Sequence, residues 1–494
     1  MGFKVDTSFL RYLTMGALGT KAVMNYLSER GFRPIELERY STSNKIWQTK
    51  VKRLRLPDLL CLNSGIRIEV RAKSKLEIKM SDAPNNPERR WMSGLRDEDI
   101  IAFIQCREEN GSFTPAVVPQ FFCVADLLAV PEERTRLGPP KSAAEGAERD
   151  RTWKAITAST AGVVIAVDEH NIKTTLASGR NQTYKLNGAN SYVIVGQQFR
   201  GGSEFLAGLP VQKISMDRPS QQIWNPRPLL ESERLIDRYV AVKALGHVGH
   251  TGDVGAIENI IKEDSDSRLG LEAAAALCRL GDSHGYELIQ RAMESSEVPY
   301  LPIEAVFILT ELARDLPGES AAVQLLTWCA NNGAFEGNEI RQAAIWGLGK
   351  AGAKQFTSLP QFFVGFPDEE TIHAMEAFAE INSALAVSLL DSLLSEKVDE
   401  RQKAIAMHLL ITKCNPSDLI PLILRELEQV SDDIKARLIA ILGSLPESQL
   451  DQHPMPRHLR MSLNAVQWLQ PARNWLKEAI TEATVNFLAD QNLY

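Results

Sequence analysis

The first 169 residues of this 494-residue chain contain no histidine, which excludes an HNH or ββα-metal active site from that stretch. Cysteine is scarce too. Cys61, Cys106, Cys123, Cys278, Cys329 and Cys414 form no CxxC pair, so neither a zinc finger nor a disulfide framework is signalled. No apolar run approaches the roughly 18 residues that a membrane-spanning helix needs, and the opening Met1-Gly2-Phe3-Lys4 lacks the apolar core of a signal peptide. A cytoplasmic protein with no membrane partner is therefore expected. The patterns GxxxxGK[ST], GxSxG and HExxH are missing, which removes P-loop hydrolysis, the serine-hydrolase elbow and zincin chemistry. What remains is an ordinary globular composition, 44% hydrophobic and 24% charged. At roughly 100 to 200 residues per domain, the length calls for two to four domains.

Charge is distributed unevenly. Residues 1–138 hold 22 basic and 17 acidic side chains, residues 139–229 hold 11 and 7, and residues 230–494 hold 22 and 38. The basic excess concentrates in residues 39–96, with 14 cations to 5 acids, among them Lys50, Lys52, Arg53, Arg55, Arg67, Arg71, Lys73, Lys75 and Lys79. A segment so dense in cations attracts polyanions, and Lys50, Lys52, Arg53, Arg55 and Lys75 are the candidate nucleic-acid contacts. Tyr40, Trp47 and Trp91 flank the segment as candidate base-stacking residues, or as ordinary packing.

From about residue 230 the chain reads as paired amphipathic helices. The pattern of a small residue, Leu, two variable positions, an apolar residue and Gly recurs at Ala244-Leu245 to Gly249 and at Ala276-Leu277 to Gly281. The Leu-like marks are Leu245, Leu277, Leu309, Leu348, Phe378, Leu409 and Leu442, spaced 32, 32, 39, 30, 31 and 33 residues apart. Helix pairs with such a period stack into a solenoid, each burying its apolar stripe against its neighbours. The stretch 230–494 resembles the HEAT-repeat family, most clearly to residue 445, which implies an all-α array that binds a protein partner. Its acidic excess argues against a DNA cradle.

Residues 9–30 predict a helix closed by Gly31, followed by a strand in RPIELERY. LPDLLCL, the turn Asn63-Ser64-Gly65 and IRIEVRAK then read as a β-hairpin. In its second strand Ile68, Val70 and Ala72 take one face, and Arg67, Glu69, Arg71 and Lys73 the other. Asp58 opens the partner strand, so pairing brings it toward Glu69. Two carboxylates at strand ends beside a cation suit metal-assisted phosphodiester hydrolysis. With Pro57-Asp58, ten intervening residues, Glu69, and Gly19 to Ala22 in the first helix, residues 9–125 resemble the PD-(D/E)XK, or restriction-endonuclease-like, nucleases. Strands in IIAFIQC and VVPQFFCV would complete a mixed sheet. The resemblance implies a metal-dependent endonuclease acting on DNA or RNA, with Mg²⁺ or Mn²⁺ held by Asp58 and Glu69. The family's lysine position holds Arg71, so the catalytic cation falls to Arg71 or to Lys73 two residues on. Glu29, Glu36 and Glu38 are candidates for an additional acid.

Residues 131–151, rich in Pro, Ala, Gly and charge, predict a linker, and alternating short strands over 152–218 predict a small β-barrel or sandwich. The expected architecture is multidomain: an α/β restriction-endonuclease-like domain over 1–130, the linker, the β module, and an all-α HEAT-like solenoid. Such a combination resembles bacterial defence or restriction effectors. The alternative is a non-catalytic nucleic-acid-binding adapter.

Overall fold

The computed structural model describes residues 7–38, 54–109, 112–142, 147–220, 223–295, 297–316, 321–332, 335, 339–351, 384–398, 400, 403, 406–407, 410–411, 414–445 and 447–465. The chain divides into two compact units, the first reaching to Ala276 and the second beginning at Leu277.

In the first unit, helix α1 (Thr7–Ser28) ends before Gly31, whose φ of +82° suits a residue without Cβ. Strands β1 (Pro34–Glu36), β2 (Leu59–Cys61), β3 (Arg67–Lys73) and β5 (Ile100–Glu109) lie side by side, with β6 (Ser112–Pro115) and β7 (Gln120–Cys123) both pairing with β5. The expected hairpin is β2–β3, antiparallel, with Leu59 opposite Ile68 and Leu60 opposite Arg67. Gly65 makes its turn at a φ of +72°. β3 and β5 run parallel while β7 runs antiparallel to β5, so the sheet is mixed.

The alternation in β3 sorts its side chains. Ile68 and Val70 join Met15, Val23, Leu27, Ile100 and Ile104 in the core beneath α1, so Arg67, Glu69, Arg71 and Lys73 face the other way. The helix lies very close to the sheet. A Cβ on Gly19 would stand 2.6 Å from Ala72 Cβ and 3.2 Å from Ile104 Cγ2. Gly19→Ala is therefore expected to lower stability by about 1–3 kcal/mol despite alanine's better helix propensity. Chemical denaturation measures this, and a stabilised variant would show that propensity outweighs the contact.

The stretch 131–151 departs from its expected linker character. It contributes β8 (Arg136–Pro140) and β9 (Arg149–Trp153), which join β4 (Ile78–Asp82) in a three-stranded sheet ordered β4-β9-β8. The inward positions of β9 are Arg151 and Trp153. Arg151 Nε donates to Asp82 Oδ2 at 2.6 Å, both side chains being buried, while Trp153 packs edge-on against Trp91. Because a paired arginine fills an inward position, the strand is hidden from a hydrophobic-pattern reading. Trp91 is thus core rather than a base-stacking platform.

The β module follows in two small sheets. One orders β10 (Ala155–Thr157), β16 (Phe205–Gly208) and β14 (Asn190–Ser191). The other orders β13 (Asn181–Lys185), β12 (Asn171–Leu176), β11 (Gly162–Val167) and β15 (Gln198–Phe199). They share a core that includes Val164, Ile172, Leu186, Phe199 and Leu206. β16 serves two cores, since Phe205 packs instead with Phe103 and Phe122 of the larger sheet.

Helix α3 (Leu235–Val248) also belongs to the first unit. Its Val240 and Ala244 pack with Leu37, Leu60 and Leu62, on the sheet face opposite α1. Of the marked repeat positions, Leu245, Leu277, Leu309, Leu348 and Leu442 are all buried inside helices, while Phe378 and Leu409 lie outside the described residues. In the second unit α6 (His284–Met293), α7 (Leu301–Asp315), α8 (Ala321–Asn331) and α9 (Glu339–Lys350) pack in succession, with Phe307 against Trp346 at a 5.8 Å ring separation. Helices Ala384–Leu394, Pro416–Glu426 and Asp432–Ser444 continue the helical region. Among the described residues, no helix is long and apolar enough to cross a membrane.

Candidate active site

The hairpin register carries Asp58, one residue before β2, to the position beside Glu69. There Asp58 Oδ2 accepts a 2.7 Å hydrogen bond from the Val70 N–H, fixing its carboxylate over the middle of β3. Its own carbonyl accepts from the Leu37 N–H at 2.9 Å, which ties the end of β1 to the same place. Glu69 is only 12% exposed, and Arg71 Nη2 lies 2.5 Å from its Oε1. Burial pushes the Glu69 carboxyl up from the usual 4.5 to about 8; the Asp58 and Glu38 carboxylates add to the rise, while Arg71 and an Asp58 backbone hydrogen bond oppose it. Asp58 and Glu69 are thus brought together, and of the additional acids it is Glu38, beyond β1, that acts on Glu69. Glu29, by contrast, sits at the end of α1 and pairs with Arg30.

The row of cations along β3 plays several parts. Arg67, 3% exposed, is locked to Asp99 through Nε at 2.7 Å and through Nη2, and to Asp237 of α3 through Nη1 at 3.0 Å. Arg96 closes this buried network by donating to Asp237 Oδ1 from its Nε at 3.0 Å and to Asp99 Oδ2 from its backbone N–H at 2.8 Å. A cation so enclosed holds α3 against the sheet and touches no ligand. Arg71, 34% exposed, keeps one edge in solvent, and its buried Nε makes no hydrogen bond. Lys73 is half-buried, and its strongest electrostatic neighbours are Arg71, Lys79, Asp150 and Lys141. Burial lowers its ammonium from 10.5 to about 8, with Arg71, Lys79 and Lys141 adding to the fall and Asp150 opposing it. Lys73 therefore shares the face of Glu69 but sits over the β4-β9-β8 sheet rather than among the carboxylates.

The outlying candidates are less concentrated. Arg55 and Lys75 are exposed, whereas Lys50, Lys52 and Arg53, like Tyr40 and Trp47, lie outside the described residues. Sequence reasoning did not find Asp99, Asp237 or Lys141 as neighbours of this face. Their only local signal is charge, and their proximity is made by tertiary pairing.

The Asp58 and Glu38 carboxylates both act on the buried Glu69 carboxyl, and like charges in a desolvated place repel one another until a cation or a proton intervenes. Arg71 supplies part of that positive charge in the structure.

No family model matches this sequence, and no curated protein matches it. Among solved structures, the complex of CpcE and CpcF of phycocyanin lyase from Nostoc sp. PCC7120 is similar at 19% identity and a TM-score of 0.24, over 51% of this chain and 96% of that one.

Proposed function

We propose that the protein is a metal-dependent endonuclease that hydrolyses phosphodiester bonds in DNA, with a restriction-endonuclease-like first domain and HEAT-like repeats that recruit a protein partner. The reading rests on the hairpin register that sets Asp58 beside the nearly buried Glu69, whose carboxyl is raised by that burial and by Asp58 and Glu38. Neighbouring acids are not held together in a desolvated site for stability, since each burial costs free energy, and perturbed groups of this kind mark functional sites. Asp58 and Glu69 would hold Mg²⁺ or Mn²⁺, which when bound neutralises phosphate charge and lowers the pKa of a coordinated water. Arg71, always charged, steadies phosphate oxygens through its exposed edge. Lys73, on the same face but away from the carboxylates, has its ammonium lowered to about 8 by burial, so a minor neutral fraction at neutral pH can accept a proton. The architecture fits a bacterial defence or restriction effector working in the cytoplasm.

A second reading is favoured by the 2.5 Å contact between Arg71 and Glu69, which sets a guanidinium against a proposed metal ligand. In that reading the domain binds nucleic acid without cutting it, and the repeats scaffold a complex.

Cleavage of supercoiled plasmid and of single-stranded DNA with Mg²⁺ or Mn²⁺ separates the two. Asp58→Ala and Glu69→Ala are each expected to lower the rate at least about a hundredfold while DNA binding persists. Arg71→Ala and Lys73→Ala then show which cation serves the reaction. A wild-type protein that binds DNA in a salt-sensitive way and never cuts it would establish the adapter.

A further inference from the structure

The second sheet carries a cluster that the hairpin motif does not include. Lys141 Nζ stands 2.8 Å from Asp150 Oδ1 and donates to Ser81 Oγ at 2.9 Å, and Lys79 Nζ stands 3.7 Å from Asp150 Oδ2. Lys73 of β3 completes the group, since Asp150 feels it together with Lys141 and Lys79. Lys79 also pairs with Glu77 at 3.0 Å, and Ser81 Oγ donates to Glu148 Oε2 at 2.7 Å, so three ammonium groups face the three carboxylates of Glu77, Glu148 and Asp150. The side chains of Lys79, Lys141 and Asp150 are 29%, 48% and 39% exposed, within reach of a ligand. Lys73 differs from the other two. Among the described residues its amine makes no hydrogen bond and no ion pair within 4 Å, although it is half-buried. Asp150 balances this half-buried ammonium only from beyond ion-pair distance, and an arriving anion lowers the remaining desolvation cost.

We infer that Lys73, Lys79 and Lys141 form a phosphate-binding site for the nucleic-acid backbone, beside the carboxylates, so that β3 leads the strand from Glu69 onto the β4-β9-β8 sheet. This rests on the nuclease reading for the identity of the polyanion and adds to it where the flanking phosphates lie. Asp150 keeps the cluster assembled when no nucleic acid is bound, and it competes with phosphate for the same ammonium groups. The residues 131–151 then supply substrate-binding surface as well as two strands of the fold.

The test is equilibrium binding of a fluorescein-labelled DNA duplex by the full chain in Ca²⁺ buffer, followed by fluorescence anisotropy across roughly 50 to 200 mM salt. Lys79→Ala and Lys141→Ala are each expected to weaken binding about fivefold and to reduce the salt slope by roughly 1. Asp150→Asn is expected to move affinity the opposite way, tightening it about threefold, because it frees the lysines without deleting a cation. A purely structural network would give no such sign reversal. Duplex bound by wild type with unchanged affinity in both lysine variants overturns the inference and leaves the nuclease reading standing. Failure of the wild type to bind any duplex overturns both. Polyglutamate displacing the duplex at equal concentration of charge overturns the assignment to nucleic acid.

Discussion

Truncating Asp99 to alanine is expected to destabilise the first unit by about 3–5 kcal/mol, because it strips the main partner from a buried guanidinium. Arg67 donates to both Asp99 oxygens, and a third hydrogen bond reaches Asp99 Oδ2 from the Arg96 N–H. With Asp99 gone, Asp237 is the carboxylate left to Arg67, and it shares Arg96 with the exposed Glu98. At roughly 2–4 °C per kcal/mol for a domain of this size, the melting temperature should fall by about 6–20 °C. A double variant, Arg67→Met with Asp99→Leu, is expected to recover most of the loss, since well-packed apolar groups often replace a buried ion pair without penalty. Urea denaturation of the three proteins gives the values. A loss within about 1 kcal/mol for Asp99→Ala would mean that water reaches the network.

The second large effect concerns Glu69 and pH. Its carboxyl lies at about 8 in the fold and at 4.5 ordinarily, so the folded protein keeps a proton that the unfolded chain releases between those values. The stability it contributes is complete below about 4.5 and is lost as pH rises through 8, at about 1.4 kcal/mol per unit. In metal-free protein Glu69→Gln is therefore expected to be near neutral at pH 4.5 and stabilising by a few kcal/mol at pH 8.5. Mg²⁺ should raise the melting temperature of wild type at pH 8.5, and much less that of the glutamine variant. Melting curves in EDTA and in Mg²⁺ at the two pH values supply the comparison. Equal shifts at both would show that Glu69 is charged throughout and neutralised by Arg71 alone.

Local periodicity made much of the first unit legible. The alternation in IRIEVRAK assigns Glu69 and Arg71 to one face before any partner strand is known, and Gly65, at a φ of +72°, closes the turn that brings Asp58 to them. The recurrence of Leu245, Leu277, Leu309, Leu348 and Leu442 likewise marks buried helix positions, because a helix must bury one stripe wherever it packs. Other features escaped the same rules. Arg151 lies in an inward position that pattern reading reserves for apolar residues, and Asp82, on another strand, makes it tolerable. Charge counts treat Arg67 like Lys75, yet the first is sealed in an ion network and the second is exposed.

What the sequence determined by itself is which side chains share a face, since the pleat of a strand and the pitch of a helix are local. Which charges are buried, paired or crowded was decided only by the tertiary structure. Arg67 meets Asp99 32 residues away and Asp237 170 residues away, and Glu69 meets Glu38 from the end of β1. The energy of a charge depends on everything within a few ångströms of it, and those neighbours come from all along the chain.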